Sequence, residues 1–491
     1  MKITKESIFL IFCFFFSLIP FVAFQWKWDG YELPKYLFVI LFGVISGLII
    51  LLSEKITLPN KYLKYFLILF TISVLFSENY LYSFFGDYPR LDQSLLLLLS
   101  IFLISIVFIS YIPKFDIFKI IFIQSIFLNL ITLFENNERV FSTLGQPNYL
   151  GIILVLGIIY SIENSIKKKI YLIAAIFLMF GLIKTASITS ILALFIYLAL
   201  LIIRNYKKYW KYFLLTGTTL IILLFTNSLT KEKFIDNYNL FFSNKETRVT
   251  DSIMVRFSIW EDSFPIINES FKNFLIGTGP ETFSLKYEMY RGRNINHTSE
   301  WNSLIDKSHN YYLELLIEEG VLILILFIFI LIQFFKTDSK DKNYMIVILI
   351  YLFFNWAHIF LQLIFFLILV KNLKDEKEIR NNLSFKSLII VYILLNLLSL
   401  KFFKFEEMAD IKNYYQTQNP FIKLEGIKYY QNKNDLKHYL KDLKVSYPNN
   451  LKINFEIYKS ERINNFPEHI LSKNKIKELR PDLLEWNEYL K

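Results

Sequence analysis

The chain has 491 residues, of which 54% are hydrophobic and only 20% are charged, and its net charge is +11. The apolar residues are concentrated in blocks of about 16–22 residues with almost no charge, close to the length that crosses a bilayer. This distribution excludes a soluble enzyme. It predicts an all-α polytopic membrane protein, because in lipid each backbone group has to be hydrogen-bonded within its own helix.

The predicted membrane helices occupy most of the first 401 residues, and we expect about 12–13 of them. Their approximate positions are 7–24, 36–52, 62–77, 94–112, 116–134, 148–163, 170–183, 187–203, 212–227, 311–334, 344–357, 358–371 and 384–401. The stretch 344–371 is alternatively one long or re-entrant element, because only Asn355, Trp356 and His358 interrupt it.

Lysine and arginine cluster in short loops that follow every second predicted span, for example Lys167–Lys169 and the segment from Lys371 to Arg380. The positive-inside rule makes these loops cytoplasmic, so the positive charge indicates membrane orientation and no nucleic-acid partner. The predicted outer segments are Gln25–Lys35, Glu78–Gln93, Glu135–Pro147 and the large loop of about 227–310. We therefore expect a multi-pass protein of the bacterial cytoplasmic (inner) membrane with a cytoplasmic N-terminus.

The polar segment 402–491 differs in composition from the membrane domain 1–401 and is predicted to be a small helical tail on the outer side. The run from Leu436 to Leu443 has helical amphipathic spacing. The residues from Ser446 to Asn450 include Pro448 and are typical of a turn.

Polar motifs recur on the predicted outer face in a fixed order. They are Phe85-Gly86 followed by Arg90, the segment Arg139–Asn148 with Gly145-Gln146-Pro147-Asn148, Arg256 with Trp260, Gly277 with Gly279 and Phe283, and His309-Asn310 with Gly320. Together they cover roughly 80–325 and resemble the O-antigen ligase/polymerase family of bacterial membrane glycan transferases. In the Arg139–Asn148 segment, Gln146 stands where that family has Asn.

The resemblance implies a metal-independent transferase without a cofactor, which moves a glycan from a polyprenyl-pyrophosphate carrier to a hydroxyl of a lipid or protein acceptor. Such activity belongs to lipopolysaccharide and cell-envelope polysaccharide biosynthesis. Arginine binds pyrophosphate oxygens bidentately, and a neutral histidine accepts a proton near neutral pH. We therefore expect Arg256, with Arg90 and Arg139, to bind pyrophosphate, and His309 to activate the acceptor.

Asn310 is expected to orient His309 or a sugar hydroxyl, and Trp260 completes the predicted binding set. The turn from Lys184 to Ser190 lacks the arginine that the family usually has there. We expect either that Lys184 or Arg139 supplies the second phosphate contact or that the enzyme uses a modified geometry. Each residue also has a structural interpretation. Arg256 fits an interfacial anchor, His309 a helix cap, Arg90 and Arg139 ordinary loop charges, and Lys184 a helix-boundary residue.

Three functions compete on the sequence alone. The first is a ligase that joins a completed carrier-linked glycan to lipid A–core or to protein, and the second is a polymerase that extends the glycan on its carrier. The third is a transporter or flippase of lipid-linked oligosaccharides. A flippase is typically built from internal repeats with several intramembrane charges, whereas polar residues here concentrate on one face, which favours the enzyme.

Overall fold

The structure is a computed structural model that describes residues 4–24, 30–87, 90–165, 167–233, 235, 252–374, 378–412, 420–427 and 432–480. These residues form a helical protein with one short ladder, in which Lys55–Ile56 (β1) pairs antiparallel with Ile379–Arg380 (β2). The predicted all-α class is confirmed for this part of the chain.

The helices of the first half follow the predicted apolar blocks. They are α1 (Lys5–Leu18), α2 (Glu32–Leu52), α3 (Lys61–Leu75), α4 (Tyr80–Phe85), α5 (Leu95–Tyr111), α6 (Ile117–Thr132), α7 (Pro147–Ser165), α8 (Ile170–Thr185), α9 (Ile188–Thr226) and α10 (228–233). Polar caps set several of the boundaries. Asn60 accepts a hydrogen bond from the amide of Tyr62 before α3, and Asp116 from that of Lys119 before α6.

The second half contains the loop helices, four further apolar helices and the tail. They are α11 (Ser252–Asn268), α12 (Phe271–Ile276), α13 (Phe283–Tyr290), α14 (Tyr311–Glu318), α15 (Gly320–Lys336), α16 (Lys342–Phe353), α17 (Ile359–Asn372), α18 (Leu383–Lys412), α19 (Pro420–Gly426), α20 (Lys433–Ser446), α21 (Leu451–Ile463) and α22 (His469–Leu479).

Two helices of the described residues, α2 and α7, are long and apolar enough to cross a membrane, and eight shorter apolar helical stretches accompany them. Large apolar side chains on the outside of the bundle face away from the core, among them Phe14, Ile173 and Ile325. Such contiguous apolar surface suits contact with lipid. The number of spans and their direction remain predictions.

Helix α9 replaces two predicted spans, 187–203 and 212–227, which were expected to be separated by a basic loop. It is continuous over 39 residues, and a straight helix of that length would extend about 58 Å. However, the hydroxyl of Thr230, just after α9, donates to the carbonyl of Ile183, just before it, at 2.9 Å. The chain therefore reverses direction within α9. The reversal between the predicted spans is retained, and the predicted loop at Arg204–Lys208 is wrong because these residues are helical.

The predicted span 311–334 is wrong as a single helix, because α14 and α15 separate at Glu319. Gly320 has φ = +85°, a left-handed conformation that glycine adopts without strain. The carbonyls exposed by this break accept hydrogen bonds from the turn at 277–279, which we call the glycine step. The amide of Thr278 donates to Ile317 at 2.9 Å and that of Gly279 to Glu318 at 2.8 Å. The break therefore pairs both amides.

The predicted cytoplasmic loops meet at one end of the molecule. The β1–β2 ladder joins the loop after α2 to the loop after α17. Lys371 pairs with Asp341 at 3.0 Å, and Tyr344 donates to Glu163 at 2.9 Å near the basic loop after α7. The grouping of these loops on one side agrees with the sequence, and the identity of that side as cytoplasmic stays a prediction.

The tail contains the predicted elements. The amphipathic run from Leu436 to Leu443 lies in α20, and the predicted turn follows this helix before α21. Helix α18 extends to Lys412, so the predicted domain division at 401/402 falls inside a helix. The division itself stays a prediction.

The tail packs directly on the large loop. Leu304 of the loop joins an apolar cluster with Leu436 and Leu440 of α20. The side-chain amide of Asn296 donates to the carbonyl of Asn449 at 2.8 Å, and the guanidinium of Arg480 lies 5.7 Å from the centre of the Trp301 ring. Loop and tail therefore lie on the same side of the molecule.

A buried ion pair in the loop depends on the tail for one of its partners. Glu288 and Arg291 are paired at 3.4 Å, and both side chains are fully buried. Glu288 also accepts hydrogen bonds from the amide of Ile305 at 2.6 Å and from the side-chain amide of Asn450 in the tail. Because a buried carboxylate is costly without partners, Asn450 stabilises the loop as well as its own helix.

Replacement of Asn450 by aspartate should release the tail from the loop. The side-chain oxygen of Asn450 caps α21 by accepting from the amide of Ile453 at 2.9 Å, and aspartate keeps that cap. The substitution removes the donor to Glu288 and adds a negative charge beside it, which should destabilise the docked tail by about 2 kcal/mol. Limited proteolysis in detergent should show faster cleavage of the tail.

The control for this substitution is Asn432→Asp. Asn432 is exposed and caps α20 by accepting from the amide of Asn434 at 2.9 Å, with no contact to Glu288. Cleavage of this variant should match the wild type. Equal cleavage rates for Asn450→Asp and the wild type would contradict the proposed role of the Glu288 contact.

Candidate active site

His309 lies just before α14 in a strained backbone conformation. Its φ is +55°, and Asn310 is the residue that caps the helix, accepting from the amides of Tyr312 at 3.0 Å and Leu313 at 3.1 Å. The cap holds His309 outside the helix, where its ring packs edge-on against Trp356 with centroids 4.9 Å apart. Left-handed conformations of residues other than glycine persist only where the surrounding structure holds them in place.

A charged network provides that support. Glu314 of α14 accepts hydrogen bonds from the amide of Ser308 at 3.3 Å and from its hydroxyl at 3.1 Å. Lys307 pairs with Glu314 at 2.9 Å and with Asp92 at 2.7 Å, which ties the His309 segment to the segment before α5. Burial alone would lower the pKa of Lys307, but the surrounding carboxylates raise it well above its usual value.

Two arginines approach the histidine from different segments. Arg90 pairs with Asp306 at 2.7 Å, and its guanidinium lies 5.0 Å from the centre of the Trp356 ring. Arg256 of α11 donates from Nε to the carbonyl of Phe354 at 3.0 Å, just before Trp356. One turn along α11, Trp260 donates from its indole nitrogen to the carbonyl of Ser308 at 2.9 Å.

A third arginine stands at the C-terminal end of α8. Arg139 donates from Nε to the carbonyl of Thr185 at 3.1 Å. It also reaches the side chain of Asn148 at 3.5 Å, and Asn148 in turn donates to Asn355 at 3.1 Å. Asn355 belongs to the same irregular segment as Trp356, so this chain of contacts connects Arg139 to the neighbourhood of His309.

The charges act on one another across the site. Burial lowers the pKa of His309 well below its usual value, and the positive charges of Arg256 and Arg90 lower it further. Burial lowers the pKa of Arg256 to about 10, with a contribution from Arg139. At neutral pH the histidine is therefore uncharged and the arginine charged. The Nδ1 atom of His309 is buried without a hydrogen-bond partner among the described residues.

Two cavities adjoin this arrangement. A small polar cleft of about 10 Å³ is lined by Asp87, Arg90, Glu281, Ser284, Asp306, Lys307 and Glu318. An apolar cavity of about 40 Å³ extends from Tyr311 and Ala357 into the helix bundle, between side chains of α3, α5, α15 and α17. Among the described residues no group of three or more His, Cys, Asp or Glu side chains is arranged to hold a metal ion.

Comparison with known families finds a match in the central part of the chain. Residues 172–328 match the family model described as O-antigen ligase. The resemblance found in the sequence is confirmed over these residues. No curated protein matched the chain.

The matched residues include most of the predicted site residues, namely Lys184, Arg256, Trp260, His309 and Asn310. The segments ending at Arg90 and Asn148 lie outside the matched residues, so their similarity to the family remains a prediction.

The structure brings Arg90, Arg256 and Trp260 together around His309 and its neighbours, and connects Arg139 to them through Asn148 and Asn355. Asn310 caps α14 through its side-chain oxygen, as the structural interpretation expected of this segment. Lys184 takes a different position. Its ammonium donates to the carbonyl of Thr132 at 2.9 Å and lies 5.8 Å from the centre of the Phe180 ring.

Two residues near the candidate site were missed as site residues by sequence reasoning. Trp356 contacts both His309 and Arg90, and its signal was the polar interruption of an apolar run at Asn355–His358. Lys233 has no motif around it in the sequence. Burial lowers its pKa to about 8, and the charges of Arg139 and Arg256 lower it further.

Proposed function

We propose that the protein transfers a glycan from a polyprenyl-pyrophosphate carrier to an acceptor hydroxyl, on lipid A–core or on protein, at the outer face of the cytoplasmic membrane. The observation that carries this proposal is the convergence of Arg90, Arg139 and Arg256 on a neutral His309. Three cations from separate segments are expected at a site for a multiply charged anion, and a neutral imidazole among them is suited to accept a proton.

In the proposed reaction the acceptor oxygen bonds to the anomeric carbon of the donor while the bond from that carbon to the pyrophosphate oxygen breaks. The acceptor proton passes to Nδ1 of His309, and the electron pair of the broken bond remains on the pyrophosphate. Arg256 and Arg90 stabilise the developing negative charge, a contribution of roughly 3 kcal/mol for each well-placed donor. The leaving group is the carrier pyrophosphate.

The apolar cavity below the site supports a lipid-linked substrate. It begins beside Tyr311 and Ala357, close to His309 and Trp356, and its walls are almost entirely apolar. An apolar segment of the polyprenyl or acyl chain that packs against these walls would hold its polar head group beside the arginines. Burial of an alkyl chain contributes about 0.8 kcal/mol for each CH₂ group.

Electrophoresis of surface glycans from a deletion strain tests the proposal. A ligase predicts that polymer disappears from the acceptor while carrier-linked polymer stays long. Single glycan units on the acceptor, with no polymer on the carrier, would instead identify the polymerase. Loss of polymer from both the acceptor and the carrier, with single carrier-linked units accumulating on the cytoplasmic side, would favour a flippase and contradict the proposal.

A further inference from the structure

Lys233 lies near the cationic cluster formed by Arg90, Arg139 and Arg256. It lies on α10, and it has no hydrogen bond or ion pair among the described residues, although its side chain is partly buried. The arginines nearby repel it. An anion bound among these cations would offset their mutual repulsion.

Contacts of α10 fix the position of this lysine. The hydroxyl of Thr230 donates to the carbonyl of Ile183 at 2.9 Å, and its amide donates to Asn227 at 2.9 Å. Lys233 follows Thr230 by three residues and therefore lies on the same face of the helix. Arg139 reaches the same end of α8 through its contact with Thr185 at 3.1 Å. The face of α10 that carries Thr230 and Lys233 and the side chain of Arg139 therefore both lie at the C-terminal end of α8, and the charge of Arg139 acts on Lys233.

We infer that Lys233 binds the second phosphate of the carrier pyrophosphate, together with Arg139, in place of the arginine that the turn 184–190 lacks. This inference rests on the proposed function. The ammonium of Lys184, the candidate from the sequence, already donates to the carbonyl of Thr132 and lies over the ring of Phe180. Lys233, in contrast, makes no hydrogen bond or ion pair among the described residues, so its ammonium group can donate to a bound phosphate.

The test measures binding of a short-chain isoprenyl pyrophosphate and of the matching monophosphate to the purified full chain in detergent. Lys233→Met should weaken pyrophosphate binding roughly 10- to 100-fold, as expected for loss of one charge-assisted contact, and should change monophosphate binding little. Lys233→Arg should restore the preference for pyrophosphate. A general structural defect would weaken both ligands alike and would not be rescued by arginine.

Lys231→Met is the matched control, because Lys231 is exposed on the same short helix. Its affinities should equal those of the wild type. If Arg256→Ala weakens pyrophosphate binding and Lys233→Met does not, the inference is wrong and the proposed function stands. If the wild-type protein prefers neither ligand and transfers no glycan, the proposed function is wrong and the inference falls with it.

Discussion

Replacement of His309 by alanine should abolish glycan transfer while the protein still folds and inserts. A general base contributes roughly 10²- to 10⁴-fold to rate, so the loss should exceed a hundredfold. The segment keeps its shape in the variant because Asn310 caps α14 and Glu314 holds Ser308 without using the imidazole. The measurement is glycan transfer to the acceptor in cells carrying equal amounts of the variant and wild-type proteins.

His297→Ala is the control for this experiment. His297 is in the same loop but is exposed, and transfer by this variant should match the wild type. Because the pKa of His309 lies well below its usual value, the base remains uncharged as the pH falls through 6.5, so transfer should not decline there. Wild-type transfer by His309→Ala would remove the histidine from the mechanism.

Gly320→Ala should be the most damaging small substitution in the loop. A side chain at this φ of +85° is strained, and the added Cβ would overlap the backbone of Leu275 and Ile276. We expect a destabilisation of about 3 kcal/mol or more, together with loss of the contacts between the glycine step and the α14–α15 break. Thermal unfolding in detergent and the yield of inserted protein measure the effect.

Gly217→Ala provides the comparison. Gly217 lies in α9, and an added Cβ there meets no atom within 4 Å. Alanine is the better helix former by up to about 1 kcal/mol, so this variant should be as stable as the wild type or slightly more stable. Equal stability of Gly320→Ala and Gly217→Ala would mean that the break tolerates a side chain and that our account of it is incorrect.

The helices could be predicted from the sequence because apolar runs of this length have few other stable forms. The break at Gly320 could not, since a glycine within an apolar run is common in membrane helices and carries no local signal. What requires the break is a distant partner. The backbone of the glycine step, about forty residues earlier, approaches the carbonyls of Ile317 and Glu318, and only the folded chain places them together.

Some residues of the candidate site could likewise be predicted from the sequence and others could not. His309 and Arg256 were named from motifs, since the residue types match the proposed chemistry and their spacing is local. The residues that hold this site in place could not be named in this way. Arg90 pairs with Asp306, and Asp92 pairs with Lys307, across more than two hundred residues of sequence. Lys233 has no motif and becomes a candidate only through its place beside Arg139 and Arg256.

The docked tail has a consequence for biogenesis. The chain is synthesised from its N-terminus, so the loop that carries His309 is made well before the residues around Asn450 that satisfy Glu288. During that interval the buried pair of Glu288 and Arg291 lacks one of its partners. The loop therefore reaches its final form only after the last helices have been made and have packed on it. An unfinished chain would hold an incompletely ordered site, which ties the onset of activity to completion of the protein.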